Sequence, residues 1–335
     1  MGNTVALKIS HIQEVVTKEF EEVSKDAINE KFGIFKIKTG NAWIEESKER
    51  PVPNTLWEHK LWFQFETCIL FADTNAGKSI LAVQMGLDIA TTKRLRVLFF
   101  DFELSDKQFE LRYSQEYTNH YHFPDNFFRA EIDIDSINEN TNLEDAIIQS
   151  IETALIQLDC KILIIDNITY LKNETDKAKN ALPLMKALKI LKTKYQLSIL
   201  VLAHTPKRDM TRPITPNDLQ GSKMLMNFCD SAFAIGQSSQ DNSLRYIKQI
   251  KERNTPKILH ANNVAIYRIT KESNLLFMVF TCYSTEREHL KEKKAYDKDE
   301  LKERVNELNG KGRSQREIAT QLSIGLGTVN KYINK

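Results

Sequence analysis

No C-x-x-C pair occurs among the four cysteines, Cys68, Cys160, Cys229 and Cys282, and three of them sit in apolar runs. That spacing reads as buried free thiols in a reducing cytoplasm. No run of 18 apolar residues exists, so no membrane-spanning helix is expected. The opening M-G-N-T-V-A-L-K-I-S has no apolar stretch long enough for a signal peptide, and Ala6 breaks the lipidation pattern. Internal repeats and low-complexity segments are also absent. Charge of one sign is scarce: 47 Lys and Arg against 45 Asp and Glu leave a net charge of +2. This excludes little, because a nucleic-acid protein needs only a local basic patch. What remains is ordinary globular composition, 41% hydrophobic and 27% charged over 335 residues. It suits one large domain with appendages, or two domains.

Apolar runs alternate with amphipathic ones through most of the chain. T-C-I-L-F-A, R-V-L-F-F-D-F-E, K-I-L-I-I-D-N and L-S-I-L-V-L-A-H read as strands too apolar to face water. Between them, S-I-L-A-V-Q-M-G-L-D-I-A, S-D-K-Q-F-E-L-R-Y-S-Q-E-Y (with Ser105 as its cap), N-L-E-D-A-I-I-Q-S-I-E-T-A-L-I-Q-L and A-L-P-L-M-K-A-L-K-I-L-K-T-K-Y read as helices. The repetition predicts an α/β fold with a largely parallel sheet covered by helices on both faces. Later runs, from S-A-F-A-I-G-Q to N-L-L-F-M-V-F-T-C-Y-S, predict strands at an antiparallel edge. The expected domains are a helical or mixed extension over 1–54, a core over 55–283, a charged helical linker over 284–310 and a compact unit over 311–335. Helical spacing marks 11–32, and Leu301, Val305 and Leu308 share one face of the linker helix.

Chemistry concentrates at the ends of the apolar runs. A-D-T-N-A-G-K-S approximates the P-loop pattern G-x-x-x-x-G-K-[ST], with Ala72 in the first glycine position. Alanine is tolerable there if its φ stays negative. Asp73, Thr74, Asn75 and Ala76 would wrap phosphates with backbone N–H groups. Gly77, Lys78, Ser79 and Ile80 would open a helix whose dipole favours anions. Lys78 supplies charge to the β- and γ-phosphates, and Ser79 a hydroxyl to Mg²⁺. Asp166 ends a buried strand, where it would hold Mg²⁺ through water. Glu103 is favoured over Asp101 as the base that orients water; capping the following helix is its competing role. His204 ends another strand and would touch the γ-phosphate, against the alternative of a core histidine. Beyond it, a proline-punctuated segment carries Lys207, Arg208 and Arg212. It reads as a surface loop, either solvated or able to carry movement to DNA.

Together these motifs resemble the RecA-like ATPases, in particular the replicative-helicase branch with its RepA-type plasmid and mobile-element helicases, over roughly residues 55–283. The resemblance implies that Lys78 and Ser79 bind ATP and Mg²⁺, that Glu103 in V-L-F-F-D-F-E is the catalytic base, and that His204 senses the γ-phosphate. K-E-R-N matches the branch's K-x-R-N stretch, implying that Lys251 and Arg253 reach a neighbouring subunit's ATP; the alternative is two surface cations on an edge strand. The guanine-reading N-K-x-D is absent, so ATP is preferred to GTP. A RecA-like core in a hexameric ring is the architecture this implies. Residues 1–50 match no primase-binding domain.

The last 25 residues resemble a helix-turn-helix. Ser314 and Glu317 form a capping box, and Ser323 stands where the turn often has glycine. From Lys311 onward, five basic residues face one acidic residue. Thr328, Asn330 and Lys331 on the second helix would read single- or double-stranded DNA, with Arg313 and Arg316 on phosphates; a small helical cap is the competing reading. The whole predicts a cytoplasmic Mg²⁺-dependent ATPase, with DNA and copies of itself as partners. It would serve replication or mobilisation of a plasmid or mobile element alongside proteins of that process. The alternatives are a DNA-binding regulator or loader that uses ATP for assembly without unwinding, and a structural protein that never turns ATP over.

Overall fold

A computed structural model describes residues 31–137, 142–167, 181–206, 208–219, 222–292 and 298–334. The chain divides into two compact units, Met1–Thr55 and Leu56–Lys335. In the first, Lys31–Phe32 pairs with Phe35–Lys36 around Gly33, and a helix spans Gly40–Lys48 with Thr39 as its N-cap. The helix expected over 11–32 lies outside the described residues, save that Lys31–Phe32 is a strand.

The second unit is built on a nine-stranded sheet. Its strands are β1 (Thr67–Ala72), β2 (Val97–Asp101), β3 (Phe127–Ala130), β4 (Ile162–Asp166), β5 (Ser198–His204), β6 (Ser231–Gln237), β7 (Leu244–Lys251), β8 (Val264–Glu272) and β9 (Leu275–Ser284). They lie in the order β9-β8-β7-β6-β1-β5-β4-β2-β3. From β6 to β3 every pairing is parallel. From β6 to β9 every pairing is antiparallel, which is the expected far edge.

The apolar runs pack as two-sided strands. In β1, Cys68, Leu70 and Ala72 join the core on one face, while Ile69 and Phe71 join the core on the other. The first face is covered by α1 (Lys78–Thr92). A short α2 (Asp106–Arg112) follows β2. Helices α3 (Leu143–Gln157) and α4 (Ala181–Tyr195) cover the second face through Ile147, Ile151, Leu155, Leu184 and Leu188. A one-turn-and-more α5 (Ser222–Phe228) precedes β6. The fold is thus the expected α/β arrangement, a largely parallel sheet covered by helices on both faces.

Three local differences from the sequence reading have physical causes. Helix α2 ends at Arg112 instead of running to Tyr117. The rings of Phe109, Tyr113 and Phe123 cluster at 4.7–5.5 Å, and Ser114–Gln115 turns away to pair with Asn119–His120. Strand β3 is missed because four residues carry no readable period. Strand β2 stops at Asp101, which turns inward: its Oδ1 accepts the N–H groups of Glu103 and Leu104.

The C-terminal helices α6 (Lys298–Gly310), α7 (Gln315–Gln321) and α8 (Leu326–Ile333) share one small core of Leu301, Val305, Ile318, Leu322 and Val329. The apolar face of the charged stretch is therefore the first wall of this unit. Ser314 and Glu317 form their capping box. Ser323 takes a left-handed φ of 54°, which explains the frequency of glycine at such turns. Cys68, Cys160 and Cys229 are buried free thiols, whereas Cys282 on β9 is exposed. Among the described residues no helix is long and apolar enough to cross a membrane.

Candidate active site

The carboxyl ends of β1, β2, β4 and β5 converge because parallel registry aligns them. Asp166 pairs with Asp101, and His204 with Ala72. Between them opens a cavity of about 420 Å³ whose walls include Lys78, Ser79, Glu103 and His204.

Ala72 occupies the last position of β1, hydrogen-bonded in the ladder and without a positive φ. The first P-loop glycine is thus dispensable here. Backbone strain falls elsewhere. Asn75 has φ 61° and Gly77 φ 96°. The φ of Gly77 is one that side chains rarely adopt, and a Cβ there would also displace the methyl end of Met278, 2.4 Å away. Gly77 then caps α1, and the first N–H groups of that helix, from Lys78 to Ile80, face no intrahelical acceptor. Thr74 lies exposed at the tip of the loop.

Lys78 is 5% exposed. Its Nζ donates to the carbonyls of Ala72 and Asp73 and to His204 Nδ1, each at 3.2 Å. Burial pushes its pKa down, opposed by Asp166, Glu103 and Asp73. Burial and then the Lys78 charge lower the His204 pKa, against Glu103. The imidazole is therefore neutral near pH 7. Its Nε2 lies 2.9 Å from Asn167 Nδ2 and 3.6 Å from Glu103 Oε1. Asn167 Nδ2 also reaches Glu103 Oε2 at 3.2 Å. Glu103 is thus held beside the cavity by the Asn167 amide, with the imidazole close by.

Asp166 is fully buried, and neither carboxylate oxygen has a hydrogen-bond partner. Burial raises its pKa to about 7; Glu103 and Asp101 add to the rise, and the Ser79 hydroxyl and Lys78 oppose it. An orphaned carboxylate next to a serine hydroxyl fits a hydrated Mg²⁺ that arrives on phosphates. Such an ion takes one or two protein oxygens and keeps its waters. Among the described residues no cluster of three metal-ligating side chains exists, so the donor set is not that of a permanent metal cage.

Sequence reasoning missed the groups that brace the loop. Arg245 on β7, 8% exposed, donates through Nε to Ala76 O at 3.0 Å and through Nη1 to Asn242 O and Leu244 O. With the Ala76 carbonyl turned outward, the planar peptide turns the Gly77 N–H the opposite way. Gln84 on α1 exchanges two hydrogen bonds with the Met278 backbone, at 2.9 and 2.8 Å. An arginine at a buried position of S-L-R-Y-I-K-Q-I-K was the available signal, since a buried cation must find acceptors.

The remaining site residues are not at this cavity. Lys251 and Arg253 sit at the opposite rim, because β7 runs antiparallel to β6 and pairs Lys251 with Ala232. They are not two cations on an edge strand: β7 lies between β6 and β8, it ends at Lys251, and Arg253 lies in the bend beyond. Lys251 Nζ is anchored on the carbonyls of Met226 and Cys229, and Arg253 pairs with Asp230 at 3.1 Å.

In the loop after β5, Thr205 Oγ1 donates to Asp73 Oδ1 at 2.9 Å, which ties this loop to the phosphate loop. Arg208 requires correction as a DNA contact. Its side chain is only 5% exposed, 3.5 Å from Asp73 Oδ2, and bonded to Arg212 O and Tyr246 Oη. Arg212 is exposed and pairs with Asp209; Lys207 lies outside the described residues. In the C-terminal unit Arg313, Arg316, Asn330 and Lys331 are exposed and Thr328 is half-buried.

Comparison with curated proteins finds no significant match. Among solved structures the chain is similar to a KaiC-like protein from the hyperthermophilic archaeon Pyrococcus horikoshii OT3. The identity is 14% and the TM-score 0.45, over 65% of this chain and 91% of that one. Residues 35–210, more than half of the chain, match the AAA domain family. That span takes in the phosphate loop, Glu103, Asp166 and His204, and the protein is accordingly a member of the AAA domain family, whose members are nucleotide-binding ATPases.

Proposed function

We propose that this protein is an ATP-hydrolysing, DNA-handling motor that works as a ring, with a hexamer as the expected form. The observation that carries the reading is the meeting of Lys78, Ser79, Glu103 and His204 in one cavity, with Asp166 orphaned beside it. Lys78 and the N–H groups of α1 hold the phosphates of ATP. Ser79 and Asp166 hold Mg²⁺, which when bound neutralises charge on the β- and γ-phosphates. Glu103, steadied by Asn167, orients the attacking water. His204 loses its Lys78 partner when that ammonium turns to phosphate, so the imidazole senses occupancy. Lys251 and Arg253 complete a neighbouring copy's site; their distance from their own phosphate loop supports this assignment. The Thr205–Asp73 bond supports a role for the following loop, with Lys207 and Arg212, in relaying nucleotide state to single-stranded DNA. Replication or mobilisation of a plasmid or mobile element is the expected setting.

A second reading is favoured by the burial of Arg208 and the exposure of Arg313, Arg316, Asn330 and Lys331. It is a DNA-binding regulator or loader that uses ATP for assembly, with the C-terminal helices as the DNA contact. Steady-state ATPase rates with and without single-stranded DNA separate the two. A motor shows stimulation of several-fold; an unchanged rate together with retained duplex binding selects the regulator. For the shared site, Arg253→Ala and Lys78→Ala subunits, each inactive alone, are expected to regain part of the wild-type rate when mixed. Mixed oligomers that stay inactive would remove the trans-acting role.

A further inference from the structure

We infer that Glu66 is a positioning residue for Arg253, fixing through Asn254 the bend from which Arg253 reaches a neighbouring copy; this rests on the reading of Arg253 as a trans-acting residue. Residues 252–259 follow β7 and belong to no helix or strand, so side chains must set their course. Two carboxylates do so. Glu66, just before β1, is 3% exposed. Its Oε2 accepts the Phe63 N–H at 3.1 Å and the Ser231 hydroxyl at 2.9 Å, and its Oε1 accepts Asn254 Nδ2. Asp230, just before β6, accepts the Thr67 N–H at 2.9 Å and Lys192 Nζ of α4 at 2.7 Å, both on Oδ2. Its Oδ1 pairs with Arg253 Nη1 at 3.1 Å.

Strands β1 and β6 are neighbours, with Ser231 opposite Cys68. Glu66 therefore bonds to the first residue of β6, and Asp230 to the first residue of β1. The two carboxylates form a crossed clamp at the start of both strands. Consecutive residues of the bend dock on it, Arg253 on Asp230 and Asn254 on Glu66. The two contacts differ in kind. Arg253 is exposed, and an ion pair open to water is worth little, so its guanidinium can exchange Asp230 for a phosphate. Glu66 is buried, and a buried acceptor is costly to leave unmatched, so the Asn254 bond persists. Gln249, 1% exposed, secures the far end of the bend: its Oε1 accepts the N–H groups of Ile258 and Leu259 at 2.7 and 2.8 Å. Lys251, on the Met226 and Cys229 carbonyls, secures the near end. Once Arg253 leaves Asp230, Asn254 holds the middle. The arginine thus swings from a fixed pivot, as a contact made in the transition state requires.

The test measures ATP turnover and binding of a non-hydrolysed ATP analogue with Mg²⁺ on the full chain, with melting temperature as the control for folding. Asn254→Asp sets a second carboxylate against Glu66. It is expected to lower kcat about tenfold or more and to leave analogue affinity within a few-fold of wild type. Adding Glu66→Gln should restore turnover, because the glutamine carbonyl keeps the Phe63 and Ser231 bonds while its amide donates to the new carboxylate. Mixed with Lys78→Ala subunits, whose bends are sound, Asn254→Asp should regain activity; damage confined to its own core would not be repaired this way. Asn254→Ala, which adds no charge, should lose turnover likewise and replaces Asn254→Asp in the mixing if that variant does not fold. Wild-type turnover in Asn254→Ala, or no recovery in the double variant, would sink the inference. So would rescue by Lys78→Ala subunits of Arg253→Ala but not of the Asn254 variants, and the trans-acting reading would then stand. Should Arg253→Ala stay inactive although mixed oligomers form, that reading fails and Glu66 loses its role with it.

Discussion

Glu103→Gln is expected to lower ATP turnover about 100-fold or more while leaving ATP affinity within a few-fold of wild type. One carboxylate oxygen, Oε2, accepts from Asn167 Nδ2, and the other, Oε1, lies 3.6 Å from His204 Nε2. Glutamine keeps the shape and can still accept from Asn167. What it loses is the negative charge that, in the proposed mechanism, orients a water and takes its proton as the γ-phosphoryl group departs. Because a carboxylate offers no donor to phosphate oxygens, binding of the phosphates is not expected to depend on it. Turnover and nucleotide affinity measured on the same preparation check this. A variant that hydrolyses ATP at the wild-type rate would return Glu103 to the competing role of helix-capping acid, and one that fails to bind would make it a binding residue.

Asp166→Asn is expected to do two opposite things. Mg²⁺-dependent nucleotide binding falls, because the carboxylate beside Ser79 is gone. Stability rises, because the wild-type carboxylate is ionised without a partner. The sign follows from the pKa, raised by burial from 3.8 to about 7. Protons are held more tightly in the folded state, so the contribution of this group is fully present below about pH 3.8 and is lost as pH climbs through 7. The displacement corresponds to about 4 kcal/mol at most. The asparagine variant should therefore melt higher at pH 8, by up to about 10 °C, with the gap shrinking almost to nothing at pH 4. Melting curves at the two pH values, without nucleotide or Mg²⁺, measure it. Equal melting temperatures at pH 8 would mean that the buried carboxylate is already satisfied.

The sequence made the strands legible where burial on both faces left unbroken apolar runs, as in Thr67–Ala72, Ile162–Asp166 and Ser198–His204. It made the site legible where such a run stops at a polar residue, because parallel registry gathers those stops at one rim. Contacts set by registry between distant strands were not legible. Arg245 meets Ala76 from 169 residues away, and nothing in either local stretch announces the other. The same holds for Gln84 and Met278, 194 residues apart. Asn167 was passed over as the residue after a strand-ending aspartate, although the neighbouring strand ends bring it between Glu103 and His204. Arg208 was misread because charge and proline mark a loop as external, and here a buried Tyr246 hydroxyl and an Asp73 carboxylate draw the guanidinium inward. Helix α6 was read as a linker because its charge outweighs three apolar positions, yet those positions are what the last two helices need to close a core.

Strand β7 carries Arg245 at one rim of the sheet and Lys251 at the other. At the ordinary rise per residue the two are about 20 Å apart, and ladders on both sides stiffen the span between them. A displacement of the Ala76 carbonyl would thus reach, along a single stiff strand, the end where Lys251 grips the carbonyls of Met226 and Cys229. If Lys251 and Arg253 serve a neighbouring copy as proposed, timing between successive catalytic centres needs no hinge and no messenger: one length of backbone has a hand on each.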